Sequence, residues 1–304
     1  MLELKNYLLF FMEKYKFPQD SKETFLQVFE SIFENQDAAK SFSDILNEYN
    51  QNINCDYQQM LENTTKIGDE FGIHQYTSSL LLFILLSKRL RENYAERGIS
   101  EEIFFDSMND LYYKLIECRT LHGIDGTYVA YWFWRFFNLT RFALGRLQFE
   151  VIKIYEEGTV NGTYFPKGSK AINVHIPRTG TKLSYEEVLN SYRLAAEVFA
   201  DEFIEQPIVF CCDSWLLDPW LLTVLNPTSN IYSFSKDYKI VKTKECGAEY
   251  IARVVFEQNY TGNPADLSVK SSLHKAYSRR IENNEELNVA FGMFVYQNGK
   301  IINT

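Results

Sequence analysis

The chain has 304 residues, of which 46% are hydrophobic and 23% charged, and its formal net charge is −9. This composition is typical of a globular protein, and the length favours two domains over one. The acidic balance, with no Lys/Arg-rich cluster, argues against a nucleic-acid partner, because phosphate neutralisation supplies most of the affinity of such proteins.

The first residues, MLELKNYLLFFMEKYKF, contain two glutamates and an apolar run shorter than that of a secretion signal. The longest apolar run, residues 80–86, is far shorter than the roughly 20 residues of a membrane span. We therefore expect a cytoplasmic protein without a membrane partner. The five cysteines lack CxxC spacing, which favours free thiols. The four histidines are scattered along the chain, so the sequence indicates no metal site.

Residues 1–146 predict an all-α domain, because apolar residues recur at helical spacing between short polar stretches. Ser100, followed by Glu101 and Glu102, predicts a helix start, where an oxygen side chain accepts from free backbone N–H groups. Gly98 and Gly123 fall where helices are expected to end. The apolar run at residues 80–86 predicts a buried core helix.

The segment DGTYVAYWFWRFFNLTRFALGRLQFEVIKIY is dense in aromatic residues. It predicts a helix from about Thr127 that gives way to a strand near Leu147, where β-branched residues take over. We place the domain boundary here. The aromatic residues could form a binding site for a lipid or a cofactor, or they could belong to a helix that is packed on all sides. Packing is the more economical interpretation.

Residues 147–304 alternate strand and helix patterns and predict a mixed sheet with packed helices. Together with the helical domain this gives an α+β fold class. Strands are predicted at residues 148–155, 171–176, 208–212 and 287–296, with further candidates at 231–234, 238–241 and 249–257, and helices at 185–203, from 219, and at 269–283. The pair Asn298-Gly299 is a strong hairpin turn signal.

Residues 171–219 read as a βαβ unit, in which ligands bind at the carboxyl ends of the strands. His175 ends the first strand and shares a face with Asn173. Its ordinary pKa near neutrality suits a general base, and a purely structural histidine is the equal alternative.

The loop after His175, PRTGTKLSYEEV, has donors and a glycine beside a helix start, a combination suited to a phosphate. Ser184 and Glu187 form an S-x-x-E capping box, which would use the helix N–H groups instead. Capping is favoured, although the preceding loop can bind phosphate without the helix end. The candidate cofactor-binding residues are Arg178, Thr179, Gly180, Thr181 and Lys182.

The loop after the second strand begins FCCDSWLLDPW. A nucleophilic thiol at Cys211 or Cys212 would need a base such as His175 and an orienting acid such as Asp213 or Asp218, and no motif supports this. Inert core thiols are the favoured interpretation. Asp218 before Pro219 predicts a helix N-cap followed by proline at the first helical position.

The strings VHIPRTGTKLSYEEVLNSYRLAAEVF, VFCCDSWLLDPWLLTVL and SNIYSF resemble a bacterial family that joins a helical N-acyltransferase N-terminal domain to a GNAT-like C-terminal domain. The resemblance covers most of residues 147–302. It implies a GNAT-type fold in which acyl-CoA pyrophosphate binds in the loop after a central strand and the acyl group passes directly to an amine. The usual Q/R-x-x-G-x-G/A motif is reduced here to Arg178-Thr179-Gly180-Thr181, and Tyr232 lies near the position expected for a general acid.

The resulting hypothesis is an acyltransferase that moves an acyl group from acetyl-CoA or another acyl-CoA to a small-molecule amine acceptor. His175 or Asp213 would accept the proton, and residues 178–182 would hold the CoA phosphates. The alternative is a catalytically inactive GNAT-like module that binds a small molecule or a partner protein. The sequence leaves the oligomeric state, the acyl chain and the acceptor undefined.

Overall fold

The computed structural model describes the whole chain, residues 1–304, which divides into two units, Met1–Phe142 and Ala143–Thr304. The predicted division lies a few residues further along, after residue 146. The first unit is helical, and the second contains a mixed sheet with packed helices. The predicted α+β fold class is confirmed.

Six long helices form most of the first unit: α1 (Leu2–Lys14), α2 (Gln19–Glu34), α3 (Gln36–Gln51), α4 (Tyr57–Glu70), α5 (Gln75–Glu96) and α6 (Glu101–His122). The predicted start of α6 is confirmed, because the Ser100 hydroxyl accepts from the N–H of Ile103 at 3.3 Å. Gly98 and Gly123 follow α5 and α6 with φ of 69° and 68°, a left-handed conformation that glycine adopts without strain.

Helix α5 is the apolar centre of this unit and packs against each of the other five long helices. Residues 80–86 are each at most 2% exposed, so the prediction of a buried core helix is confirmed. None of the helices has both the length and the apolarity needed to cross a bilayer.

The aromatic segment after α6 forms two short turns instead of the predicted continuous helix. These are a 3₁₀ turn at Ala130–Trp132 and the single helical turn α7 (Trp134–Phe137). Aromatic residues lose side-chain freedom in helices, so a run of them sustains a long helix poorly. The buried rings of Phe133 and Phe137 lie 5.1 and 5.0 Å from the ring of Phe83 in α5, which agrees with the packing interpretation.

The second unit is built on a seven-stranded sheet with the order β1-β2-β5-β6-β8-β7, and β9 pairs with β8. Strands β3 and β4 form a separate hairpin. The bounds are β1 (Arg141–Leu144), β2 (Leu147–Lys153), β3 (Gly158–Val160), β4 (Thr163–Phe165), β5 (Lys170–His175), β6 (Ile208–Ser214), β7 (Lys239–Glu245), β8 (Asn288–Gln297) and β9 (Lys300–Ile302). Asn298 and Gly299 both have positive φ between β8 and β9, which confirms the predicted hairpin turn.

The helices of this unit are α8 (Tyr185–Val198), α9 (Leu221–Val224), α10 (Asn230–Lys236), α11 (Ala248–Ile251) and α12 (Ser272–Glu282), and a π-helix spans Ala252–Phe256. The prediction of strands at residues 231–234 and 249–257 is therefore wrong, since both segments are helical. Ser229 caps α10 by accepting from the N–H of Tyr232. In the second segment the buried residues Ile251, Ala252 and Val255 follow helical spacing, which the β-branched composition obscured.

The two faces of the sheet differ. Tyr192 of α8 packs on one face, with its ring 5.3 Å from Phe210 and 5.0 Å from Phe294. The opposite face is apolar beside the β3–β4 hairpin, where Val160 and Met293 are fully buried. Towards the carboxyl ends of β5 and β6 this second face carries polar side chains instead.

We predict that Gly126→Ala destabilises the helical unit by about 3 kcal/mol, at the upper end of the cost of overpacking. A Cβ there would lie within 3.0 Å of backbone atoms of Tyr76 and Thr77, which cannot move aside as a flexible side chain can. Gly72→Ala is the control, since its Cβ would meet nothing within 4 Å. Its cost should be about 1 kcal/mol, from the positive φ alone. Thermal unfolding followed by circular dichroism measures both, and equal costs would contradict the packing argument.

Candidate active site

The parallel strands β5 and β6 pair only briefly. Their register contains Ile172 opposite Phe210 and Asn173 opposite Cys211, although β5 runs on to His175 and β6 to Ser214. Beyond Asn173 the facing edges of the two strands are no longer bonded to each other. A gap therefore opens in the middle of the sheet, at the carboxyl ends where a βαβ unit binds its ligand.

Three polar side chains from two strands meet on the second face beside this gap. Glu150 of β2 lies opposite Asn173 in the register, and Gln148 lies opposite His175. The Nε2 atom of His175 is 2.6 Å from Oε1 of Glu150 and 3.1 Å from Nδ2 of Asn173. Glu150 is only 2% exposed, whereas 18% of the His175 side chain is accessible. A ligand can therefore reach the histidine but not the glutamate.

A second carboxylate lies on the neighbouring strand. Asp213 is exposed, lies two residues beyond Cys211 on the same face, and accepts a hydrogen bond from the phenol of Tyr155. The ring of Tyr155 packs 5.0 Å from that of Phe291, which lies opposite Asp213 in the register. Burial and the nearby carboxylate both raise the pKa of Tyr155 above its ordinary value, so the phenol remains a donor at neutral pH.

The loop predicted to hold phosphate follows His175 directly. Gly180 has φ of 74°, and the hydroxyls of Thr179 and Thr181 are hydrogen-bonded to each other at 2.7 Å. Lys182 is exposed. Arg178 turns away to the π-helix, where it donates to the carbonyl of Val254 at 2.8 Å and to that of Arg253 at 3.2 Å. Its guanidinium therefore anchors the loop to a neighbouring element.

The predicted capping box at the start of α8 does not form. Ser184 occupies the N-cap position, but its side chain accepts no hydrogen bond from the first turn. The next residue, Tyr185, donates instead to Oδ1 of Asp237 at 2.6 Å, which ties the start of α8 to the end of α10. The N–H groups of the first turn are therefore left to an anion or to solvent, contrary to the favoured interpretation of the sequence.

The adjacent cysteines are packing residues. Cys211 and Cys212 are free thiols with no exposed surface, and they point to opposite faces of the sheet. Burial raises the pKa of both above that of an ordinary thiol, which disfavours the reactive thiolate. The interpretation of these residues as inert core thiols is confirmed.

Asp218 forms a buried ion pair in place of the predicted helix cap. Its Oδ1 accepts from the N–H of Trp220 at 3.1 Å, and its Oδ2 accepts from Arg280 of α12 at 2.6 Å. Arg280 also lies over the Trp220 ring, 4.3 Å from its centroid. Helix α9 begins only at Leu221, since the Asp218 side chain closes a turn before it. The Asp218 end of the SWLLDP string thus stabilises the fold.

The structure brings His175, Asp213 and the loop of residues 178–182 to the same end of the sheet. Sequence reasoning missed Glu150 and Tyr155, which touch the two candidate acid–base residues. The available signal for Glu150 was a charged residue in a strand, between the apolar residues Phe149 and Val151. Tyr232 lies in α10 rather than in a strand.

Comparisons with known proteins agree with this architecture. The model of the GNAT-like C-terminal domain matches residues 141–294, and that of the N-acyltransferase N-terminal domain matches residues 8–139. An acyltransferase solved with decanoyl-CoA and teicoplanin is 20% identical, with a TM-score of 0.70 over 93% of this chain and 86% of that chain. An acyltransferase solved with CoA and 10C-teicoplanin is also 20% identical, with a TM-score of 0.69 over 93% and 85%. No match was found among curated proteins.

The buried carboxyl of Asp237 gives a prediction on stability. Burial raises its pKa to about 7, against an ordinary value of 3.8, and the hydrogen bond from Tyr185 opposes this only in part. The folded protein therefore holds a proton that the unfolded chain releases, so this residue lowers stability as the pH rises from about 4 to about 7. Asp237→Asn keeps an acceptor for Tyr185 without the charge.

We expect the gain in melting temperature of Asp237→Asn over the wild type to grow from pH 4 to pH 7 and then to level off. A gain of 1 kcal/mol corresponds to roughly 2–4 °C. Asp201→Asn, at an exposed position of the same unit, is the control and should show no such trend. A difference between Asp237→Asn and wild type that is constant with pH would contradict the prediction. Differential scanning calorimetry provides the measurement.

Proposed function

The chain belongs to the GNAT-like C-terminal domain family, and we propose that it transfers an acyl group from acyl-CoA directly to the amine of a small-molecule acceptor. The observation that carries the proposal is the gap beyond the pair of Asn173 and Cys211. There the inner edges of β5 and β6 have backbone groups that do not bond to each other. The amides of a pantetheine arm can bond to such an edge in the manner of an added strand.

The loop of residues 178–182 and the first turn of α8 would hold the pyrophosphate. An uncapped helix start offers N–H donors and a positive dipole end, and Gly180 allows the backbone to turn towards the anion. The exposed carboxylates of Glu186 and Glu187 lie in the same turn and oppose an anion. Lys182 therefore has to supply positive charge, since Arg178 is occupied in anchoring the loop.

In the transfer step the amine nitrogen attacks the thioester carbonyl, the new C–N bond forms, and the C–S bond breaks to release the CoA thiolate. The proton leaves the amine nitrogen for a base, to which we assign His175, because its side chain is reachable and backed by Glu150. The exposed Asp213, which accepts from Tyr155, would attract the acceptor while it is still an ammonium ion, and this ion gives one proton to solvent before its nitrogen attacks. The thiolate takes up a proton from solvent.

The ligands of the similar solved acyltransferases suggest the acyl group and the acceptor. The similar solved acyltransferases hold decanoyl-CoA in one structure, octanoyl-CoA in another, and teicoplanin as a further ligand. Medium-chain acyl-CoA is therefore the first co-substrate to test beside acetyl-CoA, and primary amines are the first acceptors. A cytoplasmic location, as expected from the sequence, would give access to acyl-CoA.

We predict saturable binding of acyl-CoA that depends on the loop charge. Lys182→Glu should weaken binding of decanoyl-CoA by about tenfold, because it reverses the charge of the exposed lysine in this loop. Lys170→Glu is the matched control at the opposite end of β5, where Lys170 pairs with Glu202 at 2.6 Å. Isothermal titration calorimetry with acetyl-CoA, octanoyl-CoA and decanoyl-CoA measures the affinities, and 3′,5′-ADP tests whether the nucleotide half suffices.

Turnover is measured separately, as free thiol released from acyl-CoA in the presence of a primary-amine panel. His175→Ala should lower the rate at least 100-fold without changing the affinity for acyl-CoA, in line with the loss of a general base. Acyl-CoA binding without thiol release for any amine would favour the inactive binding module. Equal binding by wild type, Lys182→Glu and Lys170→Glu would overturn the assignment of the phosphate loop.

A further inference from the structure

A row of three side chains crosses the second face of the sheet at the carboxyl end of β6. Phe291 of β8 lies directly opposite Asp213 of β6, and Lys242 of β7 lies directly opposite Phe291. Residues that lie directly opposite each other in antiparallel strands project to the same side of the sheet. The carboxylate, the ring and the ammonium group therefore follow one another across three neighbouring strands.

The segment between β2 and β3 is fastened across this row by two consecutive residues. Tyr155 donates to Oδ2 of Asp213, and its ring lies 5.0 Å from that of Phe291. Glu156 accepts from Lys242 at 2.7 Å. Both ends of the row are thus tied to one segment of the chain, and the carboxylate of Asp213 is held from one side by the phenol.

The carboxylate of this row has no cationic partner in the protein. Lys242 is paired with Glu156, and Lys167 lies 3.9 Å from the same glutamate. Asp213 forms no ion pair, and the hydrogen bond to its Oδ2 comes from the neutral phenol of Tyr155. Asp213 is exposed, so its Oδ1 is open to solvent. An exposed carboxylate held at a fixed position is a binding point for a cation that comes from outside the chain.

A carboxylate that kept hold of the reacting nitrogen would oppose the transfer. An amine attacks only as the neutral base, because an ammonium ion has no lone pair. A neighbouring carboxylate favours the charged form, so it raises the pKa of any ammonium ion that it holds. An acceptor with a second cationic group avoids this conflict, since Asp213 then holds that group while the reacting nitrogen loses its proton.

We propose that the acceptor is a diamine, and that Asp213 binds the ammonium group of the amine that does not react. This proposal rests on the proposed function and gives its acceptor a chemical class. The bonds that form and break are those of the transfer described above, and the second ammonium group keeps its protons throughout. Asp213 lies two residues beyond Cys211, roughly 7 Å along β6, so a short carbon chain has to separate the two nitrogens.

Tyr155 contributes to the same site in two ways. Its phenol occupies Oδ2 of Asp213, which leaves Oδ1 for the ligand. Tyr155 is also 49% exposed, so part of its ring remains accessible beside the carboxylate although the ring packs against Phe291. An accessible aromatic surface can contact both the carbon chain and the ammonium group of a diamine.

The test compares 1,4-diaminobutane with pentylamine, in which a methyl group replaces the second ammonium group. Free thiol released from decanoyl-CoA gives kcat/KM for each amine, and the quantity of interest is the ratio of the two values. Differences in basicity between the amines are the same for every variant, so they cancel when variants are compared. In Asp213→Asn the ratio should fall about tenfold, which corresponds to the loss of one hydrogen bond between charged groups.

Asp201→Asn is the matched control at an exposed position of the same unit, and it should leave the ratio at the wild-type value. Tyr155→Phe keeps the ring but removes the phenol, and it should lower the ratio about threefold, because the carboxylate loses its neutral hydrogen bond. It provides the second test should Asp213→Asn lose its fold, as judged by circular dichroism. A wild-type ratio in Asp213→Asn or, in its place, Tyr155→Phe would overturn the inference.

Binding separates this inference from the proposed function. Saturation-transfer NMR of 1,4-diaminobutane, with CoA present, needs no turnover, and we expect a signal that Asp201→Asn keeps and Asp213→Asn loses. If amines release thiol but the ratio does not depend on Asp213, the inference fails and the proposed function stands. If no amine releases thiol but diamine binding depends on Asp213, the proposed function fails and the cation site stands. If neither is observed, both fail.

Discussion

The point at which β5 and β6 stop pairing is the constraint on which the rest of the second unit depends. Two strands that separate would normally expose flexible edges, but each is held on its outer side. β5 is bonded to β2 along its whole length, from Gln148 opposite His175 to Lys153 opposite Lys170. β6 is bonded to β8 in the same way, from Ile208 to Ser214. The gap is therefore a fixed opening in a sheet that is continuous on both sides.

The side chains around this opening form two separate pairs, each of a carboxylate with a hydrogen-bond donor. Glu150 lies within hydrogen-bond distance of the His175 ring, and Asp213 accepts a hydrogen bond from the Tyr155 phenol. The first carboxylate is buried and the second is exposed. Burial shields Glu150 from solvent, while exposure leaves Asp213 accessible to an approaching cation. Under the proposed function, this face of the sheet would offer a site for a proton and a site for a charged ligand.

Local patterns in the sequence predicted the features that depend on neighbours along the chain. The βαβ unit, the hairpin at Asn298-Gly299 and the burial of Cys211 and Cys212 follow from alternation, turn chemistry and composition. The position of His175 at the end of its strand follows from the same signals.

The features that sequence reasoning missed depend on residues far apart in the chain. Arg178 bonds to carbonyls 75 and 76 residues away, and the partner of Asp218 lies 62 residues further on. The capping box failed for a similar reason, because the start of α8 is held by Asp237, 52 residues after Tyr185. Helix and strand patterns were confused at residues 231–234 and 249–257, where β-branched composition competed with helical spacing.

The buried pair of Asp218 and Arg280 has a consequence for how such proteins diverge. Removing either charge leaves the other stranded in a dry interior, so selection for a folded chain preserves both whatever the chain does. His175 is different, because a partly exposed side chain at the end of a strand can be substituted without disrupting the core. Under the proposed function, a relative that kept the SWLLDP string and the whole architecture but lost this histidine would therefore be folded and inactive.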